Sequence, residues 1–296
     1  MSEAVSEARR APSILQTVAL TAVAMVAFAA NSLLCRLALQ QRGIDPASFG
    51  SIRLVSGAIT LALVLRFRAQ PSSSSGHADW LAAAMLFAYV AFFSFAYLSL
   101  SAGTGALILF GAVQLTMLGA GLGSGERFGP VAGIGFVLAA GGLVYLVLPG
   151  VAAPPLLGAV LMAIAGVAWG VYSLRGRGVP DPLAATGRNF MRAVPLALVL
   201  SLAFVMRAHA DATGVALAVA SGALTSGLGY VVWYAALARL SAMQAATVQL
   251  SVPLLAAFGG VLLLSEAITP RLAAASVAIL GGIAIVLSQK SRKARR

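Results

Sequence analysis

The sequence predicts an all-α integral membrane protein in which ten transmembrane helices form two inverted five-helix repeats. Three observations predict it. The chain of 296 residues is 60% hydrophobic and 9% charged, where soluble domains carry about 25% charged residues. Ten apolar runs follow one another along the chain, each long enough to cross ~30 Å of hydrocarbon at ~1.5 Å per residue. Finally, parts of the chain recur at a shift of 140 residues. Ser101-Ala102 returns as Ser241-Ala242, Gly119 as Gly259, Glu126 as Glu266, Pro130 as Pro270 and Gly141-Gly142 as Gly281-Gly282. Five crossings per half is an odd number, so the second half lies upside down relative to the first. Solute carriers use this architecture, because two mirrored bundles can rock about one shared site. The competing reading, an unusually apolar soluble enzyme, would leave large apolar patches facing water.

The elements read as follows. Residues 1–13 form a polar tail, 14–148 the first repeat, 155–288 the second, and 289–296 a basic tail. Segment 1 (14–37) follows Arg9 and Arg10 and contains Ala27-Phe28-Ala29-Ala30, which resembles a signal-peptide cleavage site. Its apolar stretch is too long for a signal sequence, and Phe28 to Leu33 align with Trp169 to Leu174 at a shift of 141. Segment 2 (47–67) follows the turn Gly43-Ile44-Asp45-Pro46, and a flexible serine run from Pro71 to Gly76 precedes segment 3 (79–101). Segment 4 (103–122) is divided from segment 3 at Gly103-Thr104-Gly105, because the matching place in the second half carries Arg239 and Ser241. Segment 5 is 128–148, and Pro149 to Pro155 joins the halves. Segments 6 (155–175) and 7 (187–206) flank a loop at Pro180-Asp181-Pro182. Segments 8 (212–238), 9 (241–264) and 10 (269–288) complete the set. Pro253 removes a backbone donor within segment 9 and is expected to kink it as a hinge, and Pro195 is placed to do the same in segment 7. Gly222, Gly227 and Gly229 mark segment 8 for bending. Gly119, Gly121, Gly123, Gly125, Gly133, Gly141 and Gly142 are expected to let helices approach closely.

The net charge of +12 comes from basic residues in short loops and from the tail Lys290, Arg292, Lys293, Arg295 and Arg296. That placement fits anionic lipid headgroups. It does not fit nucleic acid, for no basic stretch is interleaved with aromatics. With both termini in the cytoplasm, fifteen basic residues lie inside and five outside, as the positive-inside rule requires. The single cysteine, Cys35, excludes an internal disulfide or a cysteine-only metal cluster. His77 and His209 fall in loops, and there is no metal-binding pair, catalytic triad or phosphate-binding loop, so no enzyme activity, cofactor or metal is expected. All eight acids fall in the tail, in loops or at helix ends. A proton-driven pump ordinarily keeps a carboxylate within the membrane, so facilitated passage is the simpler expectation.

Polar and aromatic side chains recur at matched interior positions. Tyr89, Phe93 and Tyr97 share one face of segment 3, and Ser226, Tyr230 and Tyr234 form the corresponding stripe of segment 8 at a shift of 137. Phe28, Asn31 and Ser32 on segment 1 are answered by Trp169, Tyr172 and Ser173 on segment 6. Segment 4 offers Gln114 and Thr116; segment 9 offers Gln244, Thr247 and Gln249. Phe28, Asn31, Phe93, Tyr97, Gln114, Trp169, Tyr172, Tyr230, Tyr234 and Gln249 are the residues expected to line a substrate site. Amide and phenol groups bind ammonium and carboxylate, and rings accept apolar groups or cations. Each set also has a plainer reading. Tyr89, Tyr97 and Tyr234 could sit at headgroup level, and the glutamines could bridge helices. Glu126 and Glu266 are expected to face Arg127 and Arg271, while Arg53 and Arg192, near helix starts, are expected to snorkel.

A Glu closes segments 4 and 9 before a short loop and a Pro-containing start, and the phrase VPLLAAFGGVLLLSEAIT runs from Val252 to Thr269 with Pro253 and Glu266. In these features the chain resembles the EamA-type branch of the drug/metabolite transporter superfamily, and in general look the YddG-type amino-acid exporters. One departure is that Val113, followed by Gln114, stands where the second half has Pro253. The resemblance implies a ten-helix basket around a central cavity. It also implies export of amino acids, aromatic ones among them, or related small metabolites by alternating access across a bacterial inner membrane. The partners expected are a small-molecule substrate and membrane lipids, and the chain is expected to be monomeric. A carrier for a phosphorylated or nucleotide-linked metabolite is the alternative; it should turn basic residues toward the cavity, for which Arg36 and Arg53 are the candidates. A non-transporting membrane scaffold is the third reading.

Overall fold

Acidic and hydroxyl side chains start the helices. In the computed structural model, which describes residues 14–68, 79–125, 129–150, 152–240 and 242–294, the helices are α1 (Ile14–Gln40), α2 (Pro46–Arg66), α3 (Trp80–Ala96), α4 (Ala102–Gly123), α5 (Pro130–Val147), α6 (Leu156–Arg175), α7 (Pro182–Ala203), α8 (Ala212–Ala220), α9 (Gly229–Leu237), α10 (Ala242–Gln249), α11 (Ser251–Leu264) and α12 (Pro270–Ala294). Asp45, Asp79, Ser101, Asp181 and Asp211 each accept a hydrogen bond from a backbone N–H of the first turn of α2, α3, α4, α7 and α8. Such caps satisfy donors that the helix itself leaves open, and a carboxylate there also faces the positive end of the helix dipole. Pro46, Pro130 and Pro182 sit at helix starts, where a missing N–H costs nothing.

No strand occurs among the described residues; only an isolated antiparallel bridge joins Ile44 to Ala210. Eight helical spans are long and apolar enough to cross a membrane. They include the continuous stretch Ala212–Leu237, made of α8, a π-helical segment (Ser221–Leu228) and α9. The helix α3 is apolar but has 17 residues, and α7 has 22 residues but carries Thr186, Arg188, Asn189 and Arg192. The outer surface is rich in exposed Val, Ile and Leu, among them Ile134, Val137, Leu202, Leu262, Leu263 and Val277. Such a surface suits lipid and not water.

Several boundaries differ from the sequence expectation. The Pro180-Asp181-Pro182 stretch, expected as a loop, is the start of α7, because Asp181 caps and Pro182 initiates. The break between segments 3 and 4 falls before Ser101, whose side chain caps α4, so Gly103-Thr104-Gly105 lie inside the first turns of α4. Segment 9 is interrupted at Leu250, between α10 and α11. Pro253 lies three residues after this break, in the first turn of α11, and its missing N–H leaves the carbonyl of Gln249 without its usual helical donor. The serine run, His77, Glu126 and Arg127 lie outside the described residues.

Small residues set the helix packing. The helices α5 and α12 meet at Gly135 and Gly142 against Gly282, Ala278 and Ile279, so closely that a Cβ on Gly135 would come within 2.6 Å of the Gly282 carbonyl oxygen. In the same way Gly166 of α6 abuts Leu109 and Ala112 of α4, and Gly259 of α11 abuts Leu33 of α1. By contrast, Gly119, Gly123, Gly133 and Gly141 have nothing within 4 Å of a would-be Cβ, so they do not mediate the close approach expected of them. The further packing partners are α3 with α6 and α7, α2 with α7 and the π segment, α4 with α11, and α1 with α9.

Candidate functional site

The site lies where six helices and the π segment converge. On α1, Phe28, Asn31 and Ser32 share one face, since residues three and four apart project from the same side of a helix. To these α2 adds Arg53, α3 adds Tyr89 and Phe93, and α4 adds Leu109 and Phe110. Trp169 comes from α6, Thr225 and Ser226 from the π segment, and Tyr230 from α9. The widened turn of a π-helix is a feature often found at functional sites. Here it presents Thr225 and Ser226 while Gly222 passes against the backbone of Arg53.

The apolar wall is a web of ring contacts. Trp169 lies 6.0 Å from Phe28, 4.9 Å from Tyr89 and 5.4 Å from Phe110, centroid to centroid. Phe28 also meets the edges of Tyr230 and Trp233. The polar wall is one connected network. Asn31 Nδ2 donates to the Tyr89 hydroxyl at 3.3 Å, and Asn31 Oδ1 accepts from the Ser221 hydroxyl at 2.6 Å. Arg53 donates from Nη2 to the Tyr89 hydroxyl at 2.9 Å and from Nε to Ser226 Oγ at 3.2 Å. Its guanidinium lies 5.0 Å from the centroids of both Tyr89 and Phe93, a cation–π arrangement. The space left between the walls is about 10 Å³, room for one water. A solute enters this site only if the helices part.

Polar ties flank the cavity on two sides. At the end where α3 finishes, Glu266 Oε1 pairs with Arg36 Nε at 3.2 Å and Glu266 Oε2 accepts from the Ala102 N–H at 2.8 Å, while Arg36 also donates to the Tyr97 carbonyl. One carboxylate thus joins α1, α4 and the end of α11. A recess of about 180 Å³ adjoins this end, between Ser99–Thr104, Ala152–Pro155 and Ala267–Leu272. At the end where α3 begins, Arg175 pairs with Asp79 and Arg68 with Asp181, both at 2.8 Å. Beneath these pairs Thr186 Oγ1 bonds the Tyr234 hydroxyl at 2.8 Å and accepts from the Tyr172 hydroxyl at 3.3 Å. Burial works against the Asp79 carboxylate, but hydrogen bonds from Arg175 and the Ala82 N–H, with the charges of Arg175 and Arg192, outweigh it and hold the carboxyl below its usual range. Asp181 is held low in the same way against burial, by the Ala184 N–H, Arg68 and Arg188.

The sequence profile of the EamA-like transporter family matches residues 156–288, α6 through most of α12. Over 281 residues the chain is 55% identical to the "Uncharacterized protein PA1977" of Pseudomonas aeruginosa, covering 95% of this chain and 98% of that one. The second half of the chain carries an EamA-like transporter domain. A protein of known crystal structure superposes with a TM-score of 0.64 over 93% of this chain and 99% of the other; at 20% identity that likeness carries the fold alone.

The EamA-like domain points to a membrane transporter of small molecules. Of the residues expected at its substrate site, Phe28, Asn31, Phe93, Trp169 and Tyr230 are brought together around the cavity. The others stand elsewhere. Tyr97 is wholly buried in the wall toward Glu266, its ring against Gly105 and its hydroxyl bonded to the Ala102 carbonyl. Tyr172 and Tyr234 belong to the Thr186 cluster, one layer away. Gln114 is buried in α4 one turn beyond Phe110 and is not among the lining residues, Gln249 ends α10, and Pro253 lies in α11. Tyr89 and Tyr97 are both buried among the helices. Glu266 finds Arg36, while Arg271 lies over the Tyr145 ring.

The sequence reading left Ser32, Tyr89, Leu109, Phe110, Thr225, Ser226 and Arg53 out of the site. Arg53 is the consequential omission. Expected to snorkel, it is 2% exposed and faces the cavity. A signal was present: Asp45-Pro46 marks the first turn of α2 and puts Arg53 about two turns, ~11 Å, beyond it, too deep for its side chain to reach water along the helix.

Proposed function

We propose that this chain is a secondary transporter that exports amino acids with aromatic or other apolar side chains, or related small metabolites, by alternating access. The observation that carries the reading is the cavity itself. Both halves of the chain build it, rings, neutral hydrogen-bonding groups and the single cation Arg53 line it, and separate polar ties flank it on two sides. Amide and hydroxyl groups suit the polar end of such solutes, and the ring wall suits their side chains.

In this reading ten helical spans cross the membrane as two inverted five-helix repeats. The packing pattern supports that. Exchanging each span of the first half with its counterpart in the second turns the α3–α6 contact into α1–α9, α4–α6 into α1–α11, and α3–α7 into α2–π segment, all of which occur. The pairs α2–α7, α4–α11 and α5–α12 map onto themselves. The distribution of basic residues supports cytoplasmic termini in a bacterial inner membrane, with the Glu266 end facing outward. Every described carboxylate sits at a helix end, which supports facilitated passage over proton coupling through an acid at depth. A phosphate-ester carrier has less support, because Arg53 is the sole cation among the cavity residues and a dianion calls for more than one.

The test is counterflow of labelled phenylalanine, leucine and tryptophan in proteoliposomes holding the purified chain, with and without an imposed proton gradient. The reading expects saturable flux that the gradient does not drive. It also expects flux to fall at least about tenfold in Trp169→Ala, Asn31→Ala and Tyr230→Ala proteins that remain folded. No flux of any solute, or undiminished flux in all three variants, overturns it.

A further inference from the structure

Among the described residues no carboxylate pairs with Arg53, whose charge meets only the Tyr89 and Phe93 rings and neutral hydroxyls. The guanidinium is 2% exposed and lines the cavity. Nε is bonded to Ser226 and Nη2 to Tyr89, but buried Nη1 has no hydrogen-bond partner. The described carboxylates are all committed elsewhere. Asp45 and Asp211 cap helices and bond backbone N–H groups, while Asp79, Asp181 and Glu266 pair with Arg175, Arg68 and Arg36. A lone buried cation with an open donor costs several kcal/mol unless something pairs with it. The Tyr89 hydroxyl accepts from both Asn31 Nδ2 and Arg53 Nη2, which leaves its own proton to donate. Two donors, one of them charged, therefore line the same cavity as the rings and the neutral groups of Asn31, Ser32, Thr225 and Ser226.

We infer that Arg53 Nη1 and the Tyr89 hydroxyl form the binding point for a carboxylate on the transported solute, and that this carboxylate is the obligatory polar group. The inference rests on the carrier reading and names the substrate class of its site. Charge accounting sets the ranking of solutes. One carboxylate neutralises Arg53. No acidic side chain among the cavity residues answers an ammonium group; such a group meets only Asn31 Oδ1, hydroxyls and ring faces. Losing the carboxylate from a solute should therefore weaken binding severely, whereas losing the amino group should weaken it little. A phosphate dianion would leave excess negative charge against a single guanidinium, so the site takes a monoanion.

Binding to the purified full-length protein, measured by equilibrium dialysis, tests this with four probes that share one ring: phenylalanine, 3-phenylpropionate, phenethylamine and phenylalaninol. The expected result is that both acids bind at least about tenfold more tightly than the amine and the alcohol, the scale of a charge-assisted hydrogen bond. In Arg53→Gln the four should converge, and in Arg53→Lys part of the preference should return. Arg53→Gln should also unfold at the same temperature as the parent or higher, because an unanswered buried charge is gone; a merely structural arginine would lower it. Equal affinity across the four probes, no binding by either acid, or an acid preference that survives Arg53→Gln overturns the inference. Proteoliposome flux separates it from the carrier reading. Acid-selective binding without flux sinks the carrier and leaves the carboxylate site. Flux indifferent to the carboxylate does the reverse.

Discussion

Replacing Gly222 by Ala tests whether the π segment is held against α2 as closely as the structure has it. An added Cβ at 222 meets the Ser56 hydroxyl and the carbonyl of Arg53 well inside contact distance. Ser56 could turn away, but the Arg53 carbonyl belongs to the backbone of α2 and can move only if the helices separate. Two opposed effects decide the sign. Removing a glycine from a helix interior stabilises by up to about 1 kcal/mol. Overpacking a tight contact costs about 1–3 kcal/mol, and more where backbone must move. The clash wins, so Gly222→Ala should destabilise by about 1–2 kcal/mol and pull the Arg53 side chain off Ser226. Gly119→Ala is the control, because nothing lies within 4 Å of its would-be Cβ, and it should gain some of that 1 kcal/mol. The assay is thermal unfolding of both variants in one detergent, read by far-UV circular dichroism. A Gly222→Ala protein as stable as Gly119→Ala would refute the close packing of α2 on the π segment, and with it the geometry assigned to Arg53.

Three further outcomes are expected. Glu266→Gln weakens the tie among α1, α4 and α11; since Arg36 and Glu266 are 17% and 12% exposed, the charge-assisted bonds are worth about 1.5–3 kcal/mol. Alkylation of the buried Cys35, beside Arg36, should then quicken by about tenfold or more, as followed by mass spectrometry. Asp79→Asn with Asp181→Asn removes two ion pairs whose arginines are 43% and 47% exposed, so below about 1 kcal/mol each; the loss in unfolding temperature should be small at neutral pH. Because both carboxyls are held below their usual 3.8, the stability they add is present above that value and is lost as pH falls through their lower folded values. The parent should accordingly show no decline from this source between about pH 8 and 5 and a decline below about pH 4 that the double variant lacks, as measured by unfolding temperature against pH.

Much of the helical fold could be read from the sequence because membrane helices advertise themselves by long apolar runs and by starts such as Pro130 and Pro270, whereas Asp181-Pro182, expected as a loop, starts α7. The site was legible in part. Phe28, Asn31, Phe93, Trp169 and Tyr230 reveal themselves by repeating at matched interior positions. What failed was depth along the helix. Tyr97 stays on the stripe of Tyr89 and Phe93, with its ring centroid 4.7 Å from that of Phe93, but it lies one turn further toward the Glu266 end and packs on Gly105. Tyr172 and Tyr234 are right in register and one layer off in depth, which periodicity cannot fix. Arg53 was a candidate for the cavity only for a phosphorylated solute and was otherwise expected to snorkel, although the cap at Asp45 already sets its depth. Glu266 was matched to Arg271, its neighbour in sequence, whereas Arg36, 230 positions away, is its partner because α1 packs on α11.

The central claim is that one closed cavity opens to each side of the membrane in turn. The most direct measurement places a single cysteine at Ser32, a buried cavity residue, in a Cys35→Ala background, and follows its reaction with a membrane-impermeant thiol reagent applied from either face of oriented vesicles. The account predicts modification from both faces, with access from the Glu266 side increased by Glu266→Gln and access from the Arg175 side decreased in the same variant. Reaction from one face only, or from neither under conditions in which solute is moving, contradicts it.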